Sequence, residues 1–392
     1  MPIVNGSYVA PTWVNDAPPA IDADELNAIS QTAESILLPK ITITTEDAYT
    51  SVTATNGTDT ITLTNNSGTW TGWFTDYGTW NVSAVASVGT STATVEVDSV
   101  KEYSATLIKP IELYSWSDIS AIAQEGTAGN YWAVGDTKAV ALSGTVGTLS
   151  LNTTLYVYII GINHRSTNGV TFQGFKTAQT DGISVALVDS HYASSSTDGS
   201  LWFNMSHWGQ YNYGGWKGCD LRYDILGSTD VAPSGYGAAP ASNRVGYDAT
   251  STAATNPVEN TLMAALPASL RAVMRKMTIY TSNSYNGSTG SGLTITSSDD
   301  YLPLLAEFEI FGDRTYANTT EQNYQAQYTY YANGNTSGKT GYPSGTQRIK
   351  WWQRSPYYNN ASSANFLHVY STGFTGSSNA DISNALAPIF LI

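Results

Sequence analysis

The sequence predicts a multidomain chain: an N-terminal arm with a short helix, a small all-β sandwich, and a larger α+β domain. Three observations point there. Apolar residues recur at helical spacing once before residue 40, and they alternate with period two between residues 40 and 109. Beyond residue 112 both periods occur, separated by long Gly, Ser, Tyr and Asn stretches. At 392 residues the chain is longer than one ordinary domain.

Residues 1–39 form the first segment. A Pro-rich extended arm leads into "DADELNAISQTAESILL", where Asp22 or Asp24 caps a helix and Leu26, Ile29, Ala33 and Ile36 share one face. One amphipathic helix without a core of its own needs a partner, so this segment reads as an attachment and oligomerisation device. Residues 40–111 follow as the sandwich, with strands predicted at "KITITTED", "DTITLTNN", "TWTGWFTD", "GTWNVSAVA" and "TATVEVDSV" between Gly, Asn and Asp turns. The pattern is that of a small antiparallel sandwich serving as a spacer.

Residues 112–392 are read as one mixed unit. Strands are expected at "TKAVAL", "TLYVYIIGI", "GVTFQGF", "ISVALVD" and "KMTIYT", and helices at "WSDISAIAQEG", "NTLMAALPASLRAVMRKM" and "LPLLAEFEIFG". The stretches 192–218, 227–257 and 281–300 are too long for simple connectors and read as surface loops packed by their own aromatics.

Composition narrows the function. Hydrophobic residues make up 41% and aromatics 12%, with 11 Trp and 26 Tyr, which excludes a disordered chain. Charged residues are only 12%, so the polar surface is built from Ser, Thr, Asn, Gly and Tyr, as in adhesive extracellular and virion surfaces. A formal charge of −14 without a Lys/Arg run disfavours nucleic acid and anionic lipid as partners. Cys219 is the one cysteine, which rules out an internal disulfide framework and a Cys-based zinc site. The N-terminus lacks the basic and apolar regions of a secretory signal, and "LYVYIIGI" is far short of the ~20 residues that span a bilayer. A protein working outside a cell would then travel by another route, such as inside a phage particle released by lysis.

Chemistry-bearing residues are sparse. His164 stands beside Arg165 at a strand end, while His191, His207 and His368 lie apart with no metal-ligand spacing, so no metal and no cofactor is expected. A turn or core histidine is the plainer reading of His164. Glu307 with Glu309, and Asp299 with Asp300, offer carboxylate pairs of the kind a glycosidase uses, but adjacent acids more often form solvated faces or helix caps. No Gly-x-Ser-x-Gly, Walker A or Gly-x-Gly-x-x-Gly sequence occurs. The chain is therefore not expected to be an enzyme. The aromatic belt "LWFNMSHWGQYNYGGWKG" suits sugar stacking, yet serves equally to hold a long loop down.

Six separated segments occur in order: "WSDISAIAQEGTAGNYWAVGDTKAVAL", "YIIGINH", "LMAALPASLRAVMRKMT", "LLAEFEIFG", "IKWWQRSP" and "ALAPIFLI". The series resembles a family of domains of unknown function common in gut-bacterial phages and Firmicutes proteins, and it spans about residues 112–392. The ending also resembles C-type-lectin-like folds of the formylglycine-generating-enzyme kind, including the variable domains made by diversity-generating retroelements. The catalytic cysteines of those enzymes have no counterpart here, because the domain holds only Cys219. "GTWNVSAVASVGTSTATVEV" is similar to Ig-like or carboxypeptidase-regulatory-like modules, and "SYVAPTWVNDAPPAIDADELNAI" to the opening of many phage tail and fibre proteins. These resemblances imply a virion structural protein, a tail-fibre or tail-tip adhesin. It would bind a bacterial surface receptor, glycan or protein, join other virion proteins through its arm, and form a homotrimer as tail fibres commonly do. A head fibre or capsid decoration adhesin and a tailspike-like glycan depolymerase are the alternatives.

The closing stretch sharpens that expectation. From Tyr357 to Ala385 no Lys, Glu, Gln, Trp or Met occurs, and these five cannot arise when the adenines of Asn codons are mutated, as retroelements do. The Tyr, Asn, Ser and Gly that fill it are paratope chemistry, offering large rigid contact area beside adaptable hydrogen bonding. Alternation in "NFLHVYSTGF" predicts one inward and one outward set of side chains. The candidate receptor-binding residues are Tyr357, Tyr358, Asn359, Asn360, Asn365, His368, Tyr370, Phe374, Asn379, Asp381 and Asn384, with Trp352 and Phe390 in the apolar flanks that hold them.

Overall fold

A computed structural model describes residues 3–4, 7–8, 38–180, 182–212, 214–228, 255–283, 294–334, 337–343, 346–358 and 364–392. The predicted helix within 22–37, and Asn359 and Asn360, lie outside them. The chain is largely β and divides into two compact units, Met1–Tyr114 and Ser115–Ile392.

In the first unit, β1 (Ile3–Val4) pairs with β2 (Ser7–Tyr8). Eight further strands make two four-stranded sheets. One has the order β10-β3-β7-β6, from β3 (Lys40–Thr44), β6 (Thr64–Asn66), β7 (Thr69–Trp73) and β10 (Glu102–Ser104). The other runs β5-β4-β8-β9, from β4 (Tyr49–Thr55), β5 (Thr60–Thr62), β8 (Gly78–Ala86) and β9 (Gly89–Val97). Alternation places Ile41, Ile43, Trp70 and Tyr103 of one sheet in the same core as Val52, Ala54, Trp80, Val82 and Val95 of the other. The purely antiparallel expectation is corrected at one edge, where β10 runs parallel to β3.

The second unit opens on the helix Trp116–Gln124. Ser115 caps it in a reciprocal capping box with Asp118, and Trp116, Ile119 and Ala123 are buried. Its Trp116 ring meets Phe172 edge-on at 5.7 Å. A four-stranded antiparallel sheet follows in the order β11-β12-β13-β19, from β11 (Thr137–Val146), β12 (Leu149–Ile162), β13 (Val170–Lys176) and β19 (Ile389–Leu391). Phe172 and Phe390 stack across the last pair at 5.2 Å, so the apolar end of the chain is core. A hairpin of β14 (Met277–Ser282) with β15 (Ile295–Asp300) and a three-stranded sheet of β16 (Trp351–Pro356), β17 (Asn365–Val369) and β18 (Thr375–Asn379) complete the strands.

Four local expectations change. The helix expected over 260–277 is two single turns, Leu262–Ala265 and Ala268–Arg271. Pro267 divides them, because its ring drives Leu266 out of the helical region (ψ 148°). The helix in "LPLLAEFEIFG" is confined to Glu307–Phe311. "ISVALVD" makes only isolated bridges, through Ser184, Val185 and Leu187. The stretch 281–300 is loop only in part, since Ile295–Asp300 pairs along β14.

Candidate functional site

Two strands of the closing stretch, β17 and β18, pair with each other, and β17 pairs with β16 just before the stretch; around them the structure sorts the described candidate residues into three groups. At one end of the sheet, the Tyr357 N–H donates to the Asn365 carbonyl at 3.0 Å and the Tyr358 N–H to the Tyr316 carbonyl at 2.9 Å. Asn365 faces Asn379 across β17 and β18 and donates its amide to Ser377 Oγ at 3.2 Å. Tyr357 is half-buried beside the Tyr316 ring at 5.4 Å, and Tyr358 is 40% exposed. At the opposite end, the turn closes through the Tyr370 N–H to the Phe374 carbonyl, leaving Tyr370 39% and Phe374 70% exposed.

The third group is a correction: His368, Asp381 and Asn384 are buried and present nothing to a partner. Simple alternation fails along β17 because a second layer covers its other face. Residues 203–212 run along the sheet, with the Phe203 carbonyl accepting from Trp352 Nε1 at 2.8 Å and from the Asn384 N–H at 3.2 Å. Asn212 donates to the Asn365 carbonyl at 2.9 Å, and Gln210 to the Asp381 carboxylate at 3.3 Å. His368 packs against Trp352 and bonds Ser378 Oγ at 3.1 Å; burial, with Lys350 adding repulsion, pushes its imidazole down to about 3.

The first group extends beyond the closing stretch. Tyr280 and Tyr324 stack at 4.6 Å, nearly parallel, with Tyr324 38% exposed. Buried Glu321 ties this pair to the sheet: its carboxylate accepts from the Ser282 N–H at 2.6 Å and from Ser355 Oγ at 2.8 Å. Gln325 adds a bond to the Tyr280 carbonyl at 3.4 Å. Tyr280, Tyr316, Tyr324, Tyr357 and Tyr358 thus flank one continuous stretch of chain, with Asn365 and Asn379 beside them. Sequence reasoning missed Tyr280, Tyr316 and Tyr324, although "RTYANTTEQNYQ" shows the same Tyr, Asn and Thr palette.

The carboxylates weighed for catalysis are engaged in holding the fold. Glu307 accepts the N–H groups of Tyr316 and Ala317 at 3.0 and 2.8 Å, and so positions Tyr316. Glu309 grips Arg354 with both oxygens at 2.6 Å, wholly inside the unit. Asp300 meets Arg222 Nε at 2.5 Å and also bonds Ser228, Ser298 and Trp216, while Asp299 bonds Thr278. His164 stacks on Tyr328 at 3.8 Å, His191 stacks on Trp202 at 3.9 Å, and His207 lies 3.4 Å from Asp224. Among the described residues no three His, Cys, Asp or Glu side chains gather as metal ligands. In the aromatic belt, Phe203, Met205 and Trp216 are fully buried, so these three hold the loop down.

Residues 185–392, just over half of the chain, match the family described as Domain of unknown function (DUF6273), and the chain belongs to that family. No curated protein and no solved structure matches it.

Proposed function

We propose that this DUF6273-family chain is a phage virion adhesin, a tail-fibre or tail-tip protein that binds a bacterial surface receptor through the tyrosine face of its second unit. One observation carries the reading. Tyr316 and Tyr324, eight residues apart on one stretch of chain, pair with Tyr357 and Tyr280 respectively, Tyr358, Asn365 and Asn379 adjoin the Tyr316–Tyr357 pair, and Tyr324 and Tyr358 are more than a third exposed. Tyr contributes broad contact at low entropic cost and Asn adapts its hydrogen bonds, so the combination suits a recognition surface better than a reaction centre.

The remaining assignments follow from that role. The second unit is read as C-type-lectin-like and the sandwich as an Ig-like spacer. The N-terminal arm docks the protein on the particle and brings three copies together, multiplying weak contacts by avidity. Retroelement diversification would be tolerated at Tyr357, Tyr358, Asn365, Asn379 and Phe374, and resisted at His368, Asp381 and Asn384, where new side chains would meet a packed layer.

The test is competition. Host cells incubated with the purified chain should lose most of their capacity to adsorb the phage. Unchanged adsorption would contradict the adhesin reading, and release of defined oligosaccharides from the cell envelope would replace it with a depolymerase.

A further inference from the structure

Residues 322–380 contain no Asp or Glu, in a chain whose formal charge is −14, yet they contain Lys339, Arg348, Lys350 and Arg354. Arg354 is consumed by Glu309 inside the unit. Arg348 and Lys350 precede β16 at the end of the three-stranded sheet opposite Tyr357 and Tyr358, and the Lys339 carbonyl accepts there from Trp351 Nε1 at 3.0 Å. Ile349 bridges to Gly341 and is buried in the core, so its neighbours Arg348 and Lys350 point away from the core by the two-residue period. Arg348 Nε donates to Tyr342 Oη at 3.1 Å, and Lys350 Nζ stands 5.4 Å from the centre of the Tyr370 ring. Lys339, two residues before Gly341, lies over Phe311 at 4.8 Å. No carboxylate pairs with any of these three cations among the described residues. Beside them the β17–β18 turn holds out Phe374, the most exposed large hydrophobic side chain among the described residues.

We infer that this end is a second contact surface and that its ligand is an acidic saccharide. Its carboxylates or phosphates would meet Arg348 and Lys350, and its sugar rings would lie against Phe374 and Tyr370. Charge selects the class. A chain at −14 repels a densely charged polyanion at long range, whereas a polymer with one anion per sugar or fewer is recruited by a local basic patch. Exposed aromatic rings beside the cations favour a ligand with alternating apolar ring faces over a simple ion. The inference rests on the adhesin reading, and adds a second site with different chemistry to it.

The probe is polygalacturonate, with dextran as its uncharged counterpart, binding to the full chain. Polygalacturonate should bind, weaken at least ~3-fold between about 20 and 150 mM salt, and weaken about tenfold in Arg348→Ala/Lys350→Ala and in Phe374→Ala. Lys350→Arg should restore binding, which separates lost charge from lost packing. Tyr357→Ser/Tyr358→Ser should leave polymer binding unchanged while reducing cell adsorption, so the two surfaces fail independently. The inference is overturned if polygalacturonate does not bind, if dextran binds equally, if neither the basic pair nor Phe374 matters, or if anionic vesicles bind in place of the polymer.

Discussion

The two units solve the same problem, holding β-structure together, by different means. In the sandwich the ion pairs stay outside the core: Lys40–Glu102 and Lys101–Asp98 are exposed, and Lys109–Asp47 is only partly covered. The space between its sheets is filled by Trp80, Phe74, Ile41 and their neighbours. The second unit takes Arg354, Glu309, Arg222, Asp300, Glu321 and Asp189 inside. Each ties distant segments: Asp189, for example, accepts from the Phe203 N–H at 2.9 Å and from Ser383 Oγ at 2.9 Å. An apolar sandwich core depends on area, while a loop-rich unit depends on buried polar bonds to fix chain that lacks ladder partners.

The largest expected effect follows directly. Glu309→Ala strands the Arg354 guanidinium in the interior and should cost about 3–5 kcal/mol of the second unit's stability. Lys40→Ala, breaking an exposed pair of the same chemical type, should cost less than about 1 kcal/mol. Calorimetric melting of both variants checks the contrast; equal shifts would erase it. Trp80→Ala in the sandwich and Trp352→Ala in the second unit should each cost about 3–5 kcal/mol, since both rings are fully buried. Each should lower the melting of its own unit.

A further effect depends on pH. The folded His368 imidazole sits at about 3, against about 6.5 when unfolded. The neutral form is favoured in the fold, so its contribution is complete above about pH 6.5 and falls away toward pH 3, by at most roughly 1.4 kcal/mol per unit. Buried His207 has the opposite sign: burial opposes its charge, but Asp224 and Asp220 outweigh it and raise its pKa. Its contribution is present below about pH 6.5 and is lost as pH rises through the folded value. Comparing His368→Gln with the unmodified chain isolates the first term. The variant should lose less stability between pH 7 and 4, and parallel losses would remove His368 from the explanation.

Much of this was legible in the sequence, and unevenly. The sandwich strands were readable because "GTWNVSAVA" and "TATVEV" alternate cleanly and one face is solvated; β4 was missed because the Thr and Ser of "YTSVTAT" blur its alternation. The capped helix at Trp116 and the strands around Tyr158 and Phe172 were equally clear. In the second unit, alternation failed where loop 203–212 covers the second face of β17, which no local pattern reveals. Tyr357, Tyr358 and Phe374 were chosen from composition; Tyr357 is half-buried and the other two are exposed. His368, Asp381 and Asn384 were chosen on the same ground and are internal, because residue type does not encode which layer lies above it. Tyr280 and Tyr324 come together through tertiary contacts of Glu321 and Gln325, between segments about forty residues apart.

The most direct measurement concerns the tyrosine face itself. Tyr316, Tyr357 and Tyr358 changed together to Ser should leave the second unit folded, with a lowered but still cooperative melting, since Tyr358 is exposed and the mutually packed Tyr316 and Tyr357 rings are only half-buried. The same variant should lose at least tenfold in binding to host cells, because truncating aromatic anchors of an interface costs about 2 kcal/mol or more. Binding kept at the unmodified level, or lost only together with the fold, would contradict the assignment of this face as the receptor-binding surface.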